Sequence, residues 1–242
     1  MTLLVLLALP FPRKYFYEFF LWSHYILLGF AAYYLWRHAG GNKVLNRDRV
    51  FLLVSAGLLV CLNLLRFVSI LYRNTSRNRL WTTARVKQFN GAAEVVIAVP
   101  RRWKVGPGQW VLLRTLAAGF WSFSQRHPYS IAWWSEDESG DAETVSLLVK
   151  AQHGLSRNLA ATNPGESFIV ALEGPHGQSV DTSRYGTLVL FATGIGIAAQ
   201  LSVLKRAFRD YQLRTNILRR ISIIWQMDSE GKLTILGLTC HH

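Results

Sequence analysis

TLVLFATGIGIA, residues 187 to 198, is an apolar run broken by two glycines that sit two positions apart. TLVLFA reads as a buried strand, the residues after Gly196 read as a helix reaching about Tyr211, and ISIIWQ (221–226) reads as a second apolar strand. A strand, a glycine turn, a helix and a strand make a βαβ unit. Gly194 permits the tight turn. Gly196 lets the backbone approach a diphosphate at the positive helix N-terminus, and Ala198 or Ala199 allows close packing. A plain strand-to-helix turn satisfies the same pattern.

From about residue 79 to this unit the sequence is a series of short β-branched and aromatic runs between Gly, Pro and Asn turns. They are LWTTARVKQF, AEVVIAVP, GQWVLLRT, HPYSIAWW, ETVSLLVKAQ and SFIVALEG. Strands at this spacing predict a small antiparallel barrel. In RHPYSIAWW a basic residue, an aromatic and a hydroxyl alternate along one strand, which suits stacking on, and hydrogen bonding to, one flat ligand. A barrel strand with an interface aromatic carries the same residues.

Upstream of residue 79 the pattern is apolar and helical. The run from about Tyr15 to Trp36 is long enough to cross a bilayer, which takes about 20 residues. A helix is expected from about Arg13, after Pro12, to Arg37, and a second from about Val50 to Tyr72. Arg13, Lys14, Arg73, Arg77, Arg79, Arg85 and Lys87 flank this hairpin, whereas the connecting loop has Arg37, Lys43, Arg47 and Arg49. The positive-inside bias then puts both outer ends in the cytosol. His24 and His38 are fourteen residues apart on the first helix. That is about 21 Å along the axis and about 40° around it, so both imidazoles leave one face at two depths. An ionisable residue in a membrane segment is a functional candidate by default. An interfacial His38 beside Arg37, with His24 bonded to a neighbouring helix, is the alternative.

The net charge is +13 over 242 residues. The lysines and arginines are scattered and many flank the apolar helices, so a nucleic-acid partner is not expected and a lipid bilayer is. Cys61 and Cys240 are the only cysteines, which excludes a disulfide framework and a cysteine zinc site.

HPYS, GLS, GPHG and TGIGIA, in that order after two apolar helices, resemble the fungal ferric-chelate reductases and, more distantly, the NADPH oxidases. The match runs from about residue 13 to about residue 230. The resemblance implies a ferredoxin reductase-like module, an antiparallel flavin barrel with a partial α/β nicotinamide domain, behind a haem-bearing membrane half. His127, Pro128, Tyr129 and Ser130 match the flavin motif, with Tyr129 against the isoalloxazine and Ser130 near its reactive nitrogen. Gly154 and Ser156 match the segment that cradles the FAD diphosphate. Gly174, Pro175 and Gly177 match the turn beside the nicotinamide, with His176 in place of the usual tyrosine. Thr193, Gly194, Ile195, Gly196, Ile197 and Ala198 match the NADPH diphosphate turn. His24 and His38 fit the inner and outer haem b iron ligands of a transmembrane pair.

The implied organisation is residues 1–12 as a remnant of an upstream membrane segment and 13–74 as two transmembrane helices. An FAD-binding barrel over 79–182 follows, then a shortened NADPH-binding domain over 183–235 and a divergent tail over 236–242. Bis-histidine ligation needs four membrane histidines and this chain has two, so the chain resembles an interior fragment of a longer reductase whose further helices complete the haem sites. The implied activity is electron transfer from cytosolic NADPH through FAD and haem to ferric chelates across the plasma membrane, with no catalytic acid or base. A superoxide-generating oxidase and an inactive truncated membrane protein are the alternatives. Arg219 and Arg220 are candidates for a 2′-phosphate contact, and Asp228 points toward the unphosphorylated cofactor.

Overall fold

The computed structural model describes residues 17–39, 46–77, 80–89, 92–115, 126–151, 155–163 and 165–226. The chain forms two compact units, Met1–Arg66 and Phe67–His242.

The first unit contains helix α1, Tyr17–His38, and most of helix α2, Arg47–Asn74. Asn46 caps α2: its Oδ1 accepts from Arg49 N at 3.0 Å, satisfying one of the orphan donors of a helix start. The guanidinium of Arg49 lies 4.9 Å from the Trp36 ring centre. Along α2 the large side chains Phe51, Leu58, Leu62, Leu65 and Phe67 all face outward, and Asn74 is the one buried residue of the helix. A helix clothed in exposed apolar side chains is suited to lipid, not to water. Of the two helices expected to span a bilayer, α2 meets the length and hydropathy required and α1 does not, among the described residues. The shortfall in α1 comes from Tyr25, Tyr33, Tyr34, Trp22, Trp36, Ser23 and the two histidines. These are side chains with polar atoms, the aromatics among them favouring bilayer surfaces over the hydrocarbon interior.

The second unit is built on six strands: β1 Thr83–Phe89, β2 Ala92–Trp103, β3 Trp110–Thr115, β4 His127–Glu136, β5 Ala142–Lys150 and β6 Ser167–His176. They close into an antiparallel barrel in the order β1-β2-β5-β4-β3-β6. The six expected strands are these six. On β2 the inward residues Ala93, Val95, Ile97 and Val99 alternate with more exposed ones, the period-2 pattern of a half-buried strand. Val111, Leu113, Ile131, Val145, Leu147 and Val170 fill the interior from the other strands. Helix α3, Leu155–Ala161, packs on the arc formed by β5, β2 and β1 and inserts Leu159 into the core.

After the barrel come strand β7, Thr187–Thr193, a 3-10 turn at Gly194–Gly196, helix α4, Ile197–Gln212, and strand β8, Arg220–Gln226. β7 and β8 pair in parallel from Thr187↔Arg220 to Thr193↔Gln226, as the βαβ reading requires. Ile197, Ala198, Val203 and Ala207 form the buried stripe of α4.

Candidate functional site

The register of the barrel brings two of the sequence motifs to one edge. Trp110, the first residue of β3, is paired with Ser130 on β4 and with His176 on β6. Its ring lies 4.6 Å from the His176 ring at an interplanar angle of 37°. The next β3 residue, Val111, pairs with Tyr129. HPYS and GPHG, 47 residues apart from His127 to Gly174, are thereby separated by a single strand.

The loop before β3 ties the third motif to the same place. Gly106 N donates to Gln109 Oε1 at 2.8 Å, Gln109 Nε2 donates to Gly177 O at 3.2 Å, and Ile131 N donates to Gln109 O at 3.0 Å. Val180 N donates to Pro107 O at 2.9 Å, and Gly108 N donates to Ser202 Oγ on α4 at 3.0 Å. One five-residue stretch, VGPGQ, therefore holds the residue after HPYS, the last glycine of GPHG with the segment beyond it, and the helix that follows the glycine turn. Two of its glycines are required. A Cβ on Gly106 would lie 2.5 Å from Ser179 Oγ, and one on Gly108, at φ +79°, would lie 2.7 Å from Val180 Cγ2. This loop and Trp110 were not among the expected site residues. Their only sequence signal is a Gly-Pro-Gly turn immediately before a strand that opens on tryptophan, because their importance arises from pairings made across the barrel.

The expected residues are placed as follows. Tyr129 is half-buried and leans on the barrel core, and burial pushes its phenol above the ordinary value. Burial likewise lowers the His127 imidazole, so it stays neutral at physiological pH. The Nε2 atoms of His127 and His176 are buried and have no hydrogen-bond partner among the described residues. Pro128 is exposed and Ser130 half-buried. Gly174 adopts φ +144°, and a Cβ there would meet Val111 Cγ1 at 3.1 Å and Trp110 O at 3.2 Å. Gly177, at φ +84°, presses on the indole of Trp110, whose Nε1 is 3.2 Å from where a Cβ would be. Pro175 follows Gly174 through a cis peptide. Ser156 opens α3 on the arc of the barrel away from β3, so it does not join the Trp110 cluster; Gly154 lies outside the described residues.

In the glycine turn, Thr193 is the last β7 residue, and Gly194, with φ +50°, is buried with its carbonyl accepting from Trp225 Nε1 at 2.9 Å. Ile195 is half-buried, and Ile197 and Ala198 are buried under α4. Gly196 differs from them all: a Cβ there would meet nothing within 4 Å, and no side chain caps the helix it begins. An open helix N-terminus without a side-chain cap is the arrangement that accepts a phosphate group.

Two expectations are corrected or limited by the structure. Arg220 pairs with Thr187, at the opposite end of the parallel sheet from the glycine turn. Seven residues of strand span about 20 Å, so Arg219 and Arg220 sit at the wrong end of the sheet to contact a nucleotide at Gly194–Gly196. Parallel register, which single-strand patterns do not encode, decides this. The right end is that of Gln226; Asp228 lies outside the described residues. On α1, the His24 ring contacts Phe20 at 5.7 Å and Tyr25 at 6.4 Å between centres, and His38 is exposed at the helix end. The unbroken helix from Tyr17 to His38 preserves their spacing, but α2 contains no histidine, and no cluster of three or more metal-ligating side chains exists among the described residues.

Residues 77–180 match the family model of an FAD-binding domain, a span that includes all six barrel strands and the Gly174–Gly177 turn. The chain is 28% identical over 218 residues to ferric reductase transmembrane component 6 of Saccharomyces cerevisiae, covering 83% of this chain and 28% of that protein. It is 24% identical to ferric/cupric reductase transmembrane component 2 of the same yeast, over 78% of this chain and 25% of that one. With ferric reduction oxidase 8, mitochondrial, of Arabidopsis thaliana it shares 28% identity, over 95% of this chain and 30% of the relative. The chain thus spans less than a third of the length of these relatives. Among solved structures, the ferredoxin NADP+ reductase of Neisseria gonorrhoeae with bound FAD and NADP aligns with a TM-score of 0.47 at 19% identity, over 64% of this chain and 61% of that one. The Amycolatopsis cytochrome P450 reductase GcoB aligns at 0.49 and 17%, over 64% and 46%. By its matched domain the chain contains an FAD-binding domain, and along most of its length it is similar to the fungal ferric reductase transmembrane components.

Proposed function

We propose that the chain carries the flavin module and the opening βαβ unit of the nicotinamide module of a membrane-bound oxidoreductase. In this reading electrons pass from cytosolic NADPH, by way of FAD and haem, to ferric chelates on the far side of a bilayer. The observation that carries it is the convergence of HPYS, GPHG and the helix after TGIGIA on the single loop at residues 105–109. The chemistry that bound FAD supplies is the conversion of a two-electron hydride donor into one-electron steps.

The chain's own residues bind and orient. Ser130, fixed in register beside Trp110, offers a hydroxyl at the edge of the barrel, and Tyr129 offers a ring whose raised phenol stays protonated and acts as a hydrogen-bond donor, not a base. The unused Nε2 atoms of His127 and His176 are hydrogen-bonding capacity that the protein leaves free for a polar cofactor, which is a fit in favour of FAD. Gly154 and Ser156 would hold its diphosphate from the α3 side. Gly174, Pro175 and Gly177 shape the backbone next to Trp110. The open helix start at Gly196, framed by Thr193, Gly194, Ile195, Ile197 and Ala198, fits the diphosphate of a pyridine nucleotide. His24 and His38 would each give one imidazole ligand to a haem iron, and the described residues hold no second ligand for either.

The test uses the full chain in detergent. It should take up FAD, and NADPH added without oxygen should bleach the flavin absorbance; a chain that takes up none refutes the reading. In a longer form, ferric-chelate reduction unaffected by superoxide dismutase supports iron as acceptor, and dismutase-sensitive reduction assigns dioxygen instead.

A further inference from the structure

β2 leaves its partner β5 after Ala98↔Thr144 and rejoins at Trp103↔Ala142, so four β2 residues stand opposite the single residue Glu143. Such an excess arches a strand and re-aims its side chains, and Pro100, without an N–H, suits the unpaired stretch. Beside the arch is a recess of about 670 Å³, lined by Tyr72 and Ser76 at the end of α2, Arg101 and Arg102 on β2, and Glu143 and Thr144 on β5.

The two arginines are in different states. Arg102 is neutralised: its Nη1 donates to Asp137 Oδ2 at 2.6 Å and its Nη2 is 4.0 Å from Glu143. Arg101 donates through Nε to Thr75 O at 2.9 Å, and its guanidinium lies 3.8 Å from the centre of the Tyr72 ring. Those contacts fix the group in place on the helix end, and among the described residues no carboxylate pairs with it. The recess therefore presents one held, uncompensated cation whose fork of remaining N–H donors matches a phosphate.

Position identifies the source. Val50 to Tyr72 is 22 helical steps, about 33 Å, against about 30 Å of hydrocarbon. Tyr72, 60% exposed, then sits at the interface, the depth of aromatic belts and phospholipid phosphates. We infer that this recess binds the singly charged phosphodiester of an anionic glycerophospholipid headgroup through Arg101, anchoring the flavin barrel to the bilayer surface next to α2. Glu143 on the opposite wall disfavours headgroups with several phosphates. The inference rests on the reading that α2 spans a membrane.

The test is native mass spectrometry of the full chain released from nanodiscs of phosphatidylcholine alone or with phosphatidylglycerol. Wild type should retain phosphatidylglycerol over phosphatidylcholine by about fivefold, the effect of one basic residue at an anionic surface. R101Q should lose that preference. S76D, which puts a carboxylate into the recess without touching Arg101, should lose it too, and R184Q, on an exposed loop, should keep it. Retention by R101Q and S76D equal to wild type overturns the inference. Displacement of the lipid by inorganic phosphate overturns the lipid assignment in favour of a free anion. Incorporation into phosphatidylcholine nanodiscs is scored separately, and its failure removes the membrane reading itself.

Discussion

Asn74, the last residue of α2, is 1% exposed, and its amide spends every main bonding position on the barrel or its own helix. Nδ2 donates to Leu172 O at 2.7 Å and to Ile70 O at 2.8 Å, while Oδ1 accepts from Leu172 N at 2.7 Å and from Thr82 Oγ1 at 2.8 Å. The side chain thus pairs with Leu172 as a neighbouring strand would, two residues before Gly174. N74A removes both halves of this pairing and orphans the Leu172 N–H, the Leu172 carbonyl and the Thr82 hydroxyl. Each buried unsatisfied group costs about 1–3 kcal/mol, and partial hydration or a shift of Thr82 toward Asn74 O, now 3.5 Å away, recovers some of it. The expected loss is about 3–5 kcal/mol, large against total domain stabilities of about 5–15 kcal/mol. For a unit of this size, about 2–4 °C of Tm accompanies each kcal/mol, so the melting transition followed by tryptophan fluorescence should fall by at least about 6 °C. T82V alone should cost about 1 kcal/mol, and in the N74A background its cost should shrink, because the hydroxyl's nearer partner is already gone and only the backbone carbonyl of residue 74 remains. An N74A chain that melts within about 2 °C of wild type, or strict additivity with T82V, refutes the claim that this amide joins helix to barrel.

G196E fills the open space at the start of α4 without meeting protein atoms. Its Tm should stay within about 2 °C of wild type, while nucleotide affinity, measured by calorimetry, should weaken at least about tenfold. G177A strains a φ of +84° and pushes into the Trp110 indole; it should cost about 1–3 kcal/mol of stability and speed flavin release, read by stopped-flow fluorescence. Burial lowers Lys205 from 10.5 to about 8, so the unfolded chain holds this proton more tightly. Its contribution to stability therefore rises from about pH 8 to about pH 10.5. The difference in Tm between wild type and K205M should be flat below pH 8 and change across that window; a difference that is constant from pH 7 to 10.5 contradicts the assignment.

What the sequence makes legible is what repeats locally. The alternation of Ala93, Val95, Ile97 and Val99 announces a barrel strand before any partner is known, and TLVLFATGIG announces a strand and turn. What stays hidden is set by partners distant in the chain. Gln109 reads as a polar residue at the start of the run GQWVLLRT, and only the closed barrel shows it bonded to both Gly177 and Ile131. Arg219 and Arg220 read as phosphate ligands until the register of β7 and β8 puts them at the far end of the sheet. Asn74 lies beyond the expected end of the second helix at Tyr72, and its burial against Leu172 has no signature in either segment. The histidines of α1 are legible as a spaced pair because helix geometry alone fixes their spacing, whereas any partner they take depends on contacts that no local pattern supplies.

The relation between barrel and nucleotide turn also follows from one helix. Ser202, Lys205 and Arg209 are spaced three and four apart, so they form a single stripe on α4. Ser202 accepts from Gly108 N, the Lys205 ammonium donates to Trp134 O and lies 4.1 Å from that residue's ring centre, and Arg209 pairs with Glu136. All three contacts lead to the barrel, through β4 or the loop that organises the site. The same helix also packs against β7. A two-stranded parallel sheet has little hold of its own, and Phe191 and Ile224 on its other face are exposed. Side-chain contacts of this helix with the barrel are therefore carried in part by a polar stripe, and the partly exposed pairs of Lys205 and Arg209 are cheaper to remake than a packed apolar core. On the proposed reading a nicotinamide must approach and leave the flavin, and a helix held to the barrel by these replaceable polar contacts suits that exchange.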